Sequence, residues 1–364
     1  MRKGISASIA TTDDDGSGSQ LKIETGVPLL EHGVEFFYFR RTTLAYKVSL
    51  DLARWLARRT GDFDLLHVHA LFSFSSTVAA WAARRRKVPY IVRPLGVLNR
   101  WGIENRRAIA KRVSLALIEV GIIRGAAAMH YTTERERSEA IEALPELGRA
   151  KSVILPVPVP DEAFAPASRQ LFLEKHPELA GKEVVLFLSR LDSKKGLDLL
   201  LPAFRDVLRQ RPKAHLVVAG SGEVVFMKKQ QQLAGELGIA AAVSWTGWLT
   251  GEMKQSAFAA ASLFVLPSYS ENFGVAAAEA LAAGTAVVIT EGVALAADLE
   301  KAKAARVTGI SERELARAMI ELLTKPELRG EIAAVGNRFA RERLSIELIG
   351  GELDKLYRSA CFHH

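Results

Sequence analysis

The stretch EVVLFLSRLDSKKGLDLLLPAFRDVLRQRPKAHLVVAG, residues 183–220, carries a strand, a loop, a helix and a second strand in succession. Its first run, EVVLFLSR, is short and almost wholly apolar, as a parallel strand buried on both faces requires. LDLLLPAFRDVLRQ then spaces its apolar residues at helical period. AHLVVAG returns to the composition of a buried strand. A strand, a crossover helix and a strand make the unit from which doubly wound α/β layers are built.

The alternation continues on both sides. Downstream come AAVSWTG, SLFVLP and TAVVIT, separated by helical stretches, and the chain closes on helices through IELIGGELDKLYRSA. Upstream, strands are expected near ISASIATT, VEFFYFR, DLLHVHA, PYIVRP, AAAMHYTT and SVILP, with helices near 44–60, 74–86, 105–124 and 134–143. Between the two runs lies PVPVPDEAFAP, residues 156–166, Pro-rich and without period, which reads as a linker. The expected organisation is a first Rossmann-like domain over 1–155, a second over 167–340, and a C-terminal helix over 341–364 that returns to the first. Ligands of such sheets bind beyond the carboxyl ends of the strands, so two facing sheets would share a cleft.

Bulk properties fit this picture. A chain of 364 residues suits two domains, and 49% hydrophobic with 25% charged residues is a globular composition. No apolar run is long enough to span a bilayer, and MRKGISASIATTDDDG lacks the apolar core of a signal peptide. The single Cys361 leaves no internal disulfide and suits a cytoplasmic setting. The formal charge of +8 is uneven: residues 1–155 hold 24 Lys/Arg against 16 Asp/Glu, and the rest is neutral. Within 84–112, ten cations, from Arg84 to Arg112, face only Glu104. That stretch suits a phosphate-rich surface, whether an anionic membrane, a nucleic acid or an anionic substrate, and equally a solvated face. No nucleic-acid-binding motif accompanies it, so no nucleic acid is expected.

Polar residues gather at the strand ends of the second half. EVVLFLS runs into Arg190, then Lys194, Lys195 and Gly196 ahead of a helix, and cations beside a helix amino end suit a diphosphate. SLFVLP runs into Ser268, Glu271 and Asn272, after which Phe273 and Gly274 open a helix. That helix carries Glu279 in its second turn among alanines, where a carboxylate needs a partner. A ligand hydroxyl would serve, and so would a buried Arg or Lys. Gly220 and Gly222 follow AHLVVAG, and Trp245 and Trp248 flank the next strand end. In the first half, His69 ends one strand and Arg93 the next. Asp13, Asp14 and Asp15 lie in a Gly/Ser-rich turn and His67 has no carboxylate cluster, so no metal is expected.

SRLDSKKGLDLLLPAF and PSYSENFGVAAAEALAAGTAVV resemble the Arg-(x)-Lys-Gly segment and the Glu-x7-Glu motif of the retaining glycosyltransferases of the GT-B fold, family 4. The resemblance spans nearly the whole chain and is strongest from about 183 to 290. It implies two doubly wound Rossmann-like domains facing across a cleft, with C-terminal helices. It also implies transfer of a sugar from a nucleotide-diphosphate sugar to a hydroxyl of a glycan or lipid-linked acceptor, with retention, in bacterial cell-surface polysaccharide assembly. It implies further that no cofactor or metal takes part and that the nucleotide sugar is the substrate. On this resemblance Arg190 and Lys195 hold the diphosphate, Glu279 the ribose, and Glu271 sits by the transferred sugar. Asn272, Phe273 and Gly274 supply backbone N–H groups, with Ser268, Gly220 and Gly222 in the donor site and His69 and Arg93 on the acceptor side. The family opens with a further strand, Gly-rich loop and helix ahead of ISASIATTDDDG, so a central strand of the first sheet is expected to be missing. Leu95 stands where the family often has a His, and LPVPV replaces the usual hinge sequence. The alternative is an inactive relative that binds a nucleotide sugar or a partner without catalysis.

Overall fold

The computed structural model describes residues 4–16, 18–44, 46–98 and 118–362. The chain forms two compact units, one of residues 1–155 with 350–364 and one of residues 156–349.

The first unit begins β1 (Ser8–Thr12), β2 (Pro28–Glu31), β3 (Val34–Phe39), α1 (Leu50–Arg59), β4 (Leu66–His69) and α2 (Phe74–Arg86). It continues β5 (Tyr90–Arg93), α3 (Val120–Arg124), β6 (Ala128–Tyr131), α4 (Glu134–Ala143) and β7 (Ser152–Ile154). α1 starts where the Ser49 hydroxyl accepts the Leu52 N–H, later than the expected 44–60, because Tyr46 and Lys47 occupy left-handed backbone conformations that no helix contains. The strands fall into two sheets, β1-β3-β2 and the parallel β4-β5-β6-β7. Among the described residues, β1 pairs only with β3 and β4 only with β5. The other edges of β1 and β4 border one cavity of about 520 Å³, whose walls include Ile9, Trp55 and Phe63 as well as Leu66. Arg100, Arg106, Arg107, Lys111 and Arg112 of the basic stretch lie outside the described residues, as does most of the helix expected at 105–124.

The second unit runs α5 (Arg169–Lys175), β8 (Glu183–Leu188), α6 (Leu197–Gln210), β9 (Ala214–Ala219), α7 (Val224–Glu236), β10 (Val243–Gly247) and α8 (Gly251–Ala260). Then come β11 (Leu263–Leu266), α9 (Val275–Ala282), β12 (Val287–Thr290), α10 (Ala296–Lys301), β13 (Arg306–Thr308), α11 (Glu312–Thr324) and α12 (Pro326–Leu344). A last helix, α13 (Ile346–Cys361), ends in the first unit. One parallel sheet of order β10-β9-β8-β11-β12-β13 forms the middle layer. Its four inner strands, β9, β8, β11 and β12, are buried on both faces, which is why they read as unbroken apolar runs. α6 covers the sheet with Leu197, Leu200, Leu201, Phe204 and Val207, all fully buried at helical spacing. Burial of each such side chain contributes about 1.5–3 kcal/mol.

Residues 156–166 do not behave as a free linker. The Val159 N–H donates to the Leu344 carbonyl at 2.7 Å, and Val159 and Ala163 are buried in the core of the second unit. Alternation of Val with Pro puts apolar side chains on one face, and that face packs.

Candidate functional site

The order of the second sheet reverses between β8 and β11, and such a switch point leaves a crevice beyond the strand ends. The loops there are laced together in the order of the strands beneath them. Gly220 N–H donates to the Gly247 carbonyl at 2.7 Å, Leu191 N–H to Ser221 at 2.8 Å, and Tyr269 N–H to Lys194 at 2.8 Å. Glu271 N–H donates to Gly292 at 3.0 Å, and Ala294 N–H returns to Glu271 at 2.9 Å.

The local sequence explains each turn. After β8, the Asp192 carboxylate accepts the Lys194 N–H at 2.9 Å and starts a single turn of 3-10 helix, Ser193–Lys195. Gly196 then caps α6 at φ +71°, where a Cβ would lie 2.1 Å from the Pro267 carbonyl oxygen. Gly274 opens α9 at φ +91°. Gly220 and Gly222 are needed for chain packing: a Cβ on either would strike the carbonyl of Ser189 or Leu191 within 2.0 Å.

A cavity of about 320 Å³ sits on this rim, lined by Arg190, Lys195, Gly220, Glu271, Gly274 and Glu279 together with Trp248, Thr250 and Lys254. Two ion pairs cross it. Lys195 Nζ, almost buried, donates to Glu271 Oε2, and Lys254 Nζ donates to Glu279 Oε1 at 2.8 Å. Arg190 reaches outward, its side chain 75% exposed and 3.9 Å from Asp192. Val275 and Ala276, the first residues of α9, belong to the same wall, at the helix end whose dipole favours negative charge.

Six of the residues expected at a donor site therefore come together: Arg190, Lys195, Gly220, Glu271, Gly274 and Glu279. Four others do not line the cavity. Ser268 is fully buried, with its carbonyl accepting from the Thr290 hydroxyl at 2.6 Å. Phe273 belongs to the hydrophobic core, and Gly222 is spent on the contact with Leu191. Asn272 also falls outside the lining. Lys254 was missed. The signal available was the buried Glu279 itself, which demands a cation or a ligand.

In the first unit His69 and Arg93 are register partners at the ends of β4 and β5. No ion pair of Arg93 occurs among the described residues, and its Nε is buried without a hydrogen-bond partner. Next to them runs a chain of hydrogen bonds whose direction the chemistry fixes. A carbonyl only accepts, so His130 Nε2 donates to Leu155 O at 2.9 Å. His130 Nδ1 then accepts from His67 Nε2 at 3.3 Å, and His67 Nδ1 from the Tyr357 hydroxyl at 2.8 Å. Burial keeps these rings neutral: it pushes His130 down to about 4 and His67 to about 2, with neighbouring ring and Arg93 charges acting in the same direction. Beyond β4 and β5, Ala70, Phe72 and Leu95 all hold positive φ, a strained geometry common at functional loops. Asp14, in the acidic turn, is held by Lys47 at 2.5 Å and by Arg41 at 2.8 Å; the Lys47 hydrogen bond above all, helped by the Gly16 N–H and the Arg41 charge, keeps its carboxyl below the usual range.

Comparison with known proteins agrees with this geometry. The family described as "Glycosyl transferase 4-like domain" matches residues 1–158, and "Glycosyl transferases group 1" matches residues 168–338. The chain is 27% identical over 323 residues to a phosphatidyl-myo-inositol mannosyltransferase of Mycobacterium tuberculosis, covering 85% of this chain and 76% of that protein. Among solved structures, sucrose-phosphate synthase from Thermosynechococcus elongatus superposes with a TM-score of 0.79 at 18% identity, covering 100% of this chain and 91% of that one. Anabaena HepE, in complex with UDP and glucose, superposes with a TM-score of 0.75 at 19% identity, covering 90% and 87%. With one family description fitting each half and the fold shared throughout, this chain belongs to the glycosyltransferases of the GT-B fold, in the group 1 and 4-like family.

Proposed function

We propose that the cavity at the β8/β11 switch point binds a nucleotide-diphosphate sugar. On this reading the chain transfers the sugar, with retention at the anomeric carbon, to a hydroxyl of a glycan or lipid-linked acceptor in cell-surface polysaccharide assembly. The observation that carries this reading is the meeting of Arg190, Lys195, Glu271 and Glu279 around one pocket. The names of the relatives above, which act on inositol lipid or bind UDP and glucose, support the substrate class.

The chemistry follows from charge. The bond from the anomeric carbon to the phosphate oxygen breaks, and its electron pair leaves on the diphosphate. Lys195, Arg190 and the N–H groups opening α9 meet that charge as it grows, without a divalent ion. The acceptor oxygen bonds to the anomeric carbon, and its proton passes to the departing phosphate. Diphosphate entry draws Lys195 from Glu271, which frees that carboxylate for a sugar hydroxyl. His69 and Arg93 line the acceptor side. The exposed Arg84, Arg85, Arg86 and Lys87 with Trp81 seat the first unit on anionic lipid at the inner face of the membrane.

A thermal-shift panel of UDP, GDP, ADP and their sugars tests the reading, with and without EDTA. At least one should stabilise the protein, and both Glu279→Ala and Lys195→Ala should weaken that stabilisation. Anomeric proton couplings of the product report retention. Parent-like binding and turnover in both variants would show the site to be misplaced. Nucleotide binding without product from any acceptor would favour the non-catalytic alternative.

A further inference from the structure

We propose that Lys254 is a positioning residue for ribose recognition: it anchors one oxygen of Glu279 so that the other is presented to the sugar diol of the nucleotide. This rests on the donor-site reading above. Glu279 is 8% exposed on a helix whose neighbouring side chains are alanines, so it carries no local partner. Lys254 reaches it from α8, a different element, and donates to Oε1 at 2.8 Å. No hydrogen bond to Oε2 occurs among the described residues. An ionised carboxylate offers only acceptor sites, and a vicinal diol offers two donors. A carboxylate free to rotate would lose entropy on meeting that diol, and one already fixed at Oε1 has less to lose.

The position of Lys254 is itself constrained. The loop that delivers it, Trp248–Thr250, is bracketed by Gly247 at φ +73° and Gly251 at φ +52°. Lys254 also lines the cavity, and an ammonium has three donors of which Glu279 takes one. Two donors therefore remain for a nucleoside in that cavity. The pair thus sets both the geometry of the carboxylate and the polarity of the inner wall.

The test uses the full chain with UDP, GDP and ADP and their 2′-deoxy counterparts as probes, read by calorimetric titration. For the parent, the ribonucleotide should bind more tightly than the deoxy form. Lys254→Met should lower ribonucleotide affinity about tenfold and collapse the ribo-to-deoxy ratio towards one, the loss of a charge-assisted contact being worth that much. Lys254→Arg should restore the ratio to within about threefold of the parent, because a cation is again available. In a double-mutant cycle with Glu279→Gln, the two losses should fail to add. A Lys254→Met protein that melts lower yet keeps the parent's ratio would overturn the proposal, and so would additive losses. If Glu279→Ala weakens binding while Lys254→Met does not, the proposal falls and the donor site stands. If no probe binds the parent, the donor-site reading falls with it.

Discussion

Replacing Gly196 by alanine adds one methyl group where the loops after β8 and β11 touch. The new Cβ would stand 2.1 Å from the Pro267 carbonyl oxygen, short of ordinary contact by about 1.3 Å. Backbone lies on both sides, so no flexible side chain can give way. Gly238 supplies the control, because it has the same φ of +71° and nothing within 4 Å of its would-be Cβ. Gly238→Ala therefore carries only the left-handed penalty, about 1–2 kcal/mol. Gly196→Ala carries that penalty and the displacement of a packed turn, together about 2–5 kcal/mol. For a unit of this size each kcal/mol moves the melting temperature by about 2–4 °C. The displacement also moves Lys195, and a shift near 1 Å in a positioning group costs on the order of 100-fold in rate. Differential scanning calorimetry and donor turnover, run on both variants, separate the terms. Equal melting points and equal turnover for the two would refute the argument that the rim is closed by contact at Gly196.

Further outcomes follow from the first unit. His130 titrates near 4 in the fold against 6.5 when free, so the unfolded chain binds its proton first. Its contribution is therefore neutral above pH 6.5, and stability falls as pH drops from 6.5 towards 4. The loss is on the order of 3 kcal/mol for this 1%-exposed ring, and His130→Gln should make that limb of the melting-temperature profile shallower, with His67 and His69 carrying the remainder. Tyr357→Phe leaves His67 Nδ1 buried without its donor and should lower stability by about 1–3 kcal/mol in urea titration. Co-sedimentation with vesicles should rise with anionic lipid and fall when Arg84, Arg85 and Lys87 are changed to Gln; binding indifferent to lipid charge would refute the membrane role.

Much of this molecule is legible in its residues. The inner strands of the second sheet declare themselves because burial on both faces demands unbroken apolar runs, and their polar tips follow directly. β2 gives no such sign: PLLE is exposed at every position and starts with Pro, so neither alternation nor burial marks it. β13 has only three residues. The partner of Glu279 lies 25 positions away on another element, and their meeting depends on strand order, which spacing alone does not encode. Ser268 and Phe273 adjoin the site in sequence yet face the core, because a tight turn sends neighbouring side chains in opposite directions.

The division of the chain has a consequence for anyone who wishes to study one half alone. The polypeptide passes from one unit to the other twice, at Leu155–Pro156 and again at Ile349–Gly350. A fragment ending at residue 155 would forfeit Leu356, Tyr357 and Ala360, stripping apolar cover from Ile91 and Ala128. The amino-terminal unit is thus completed by residues synthesised after the whole of the other unit, and it reaches its finished form only once that unit has been made.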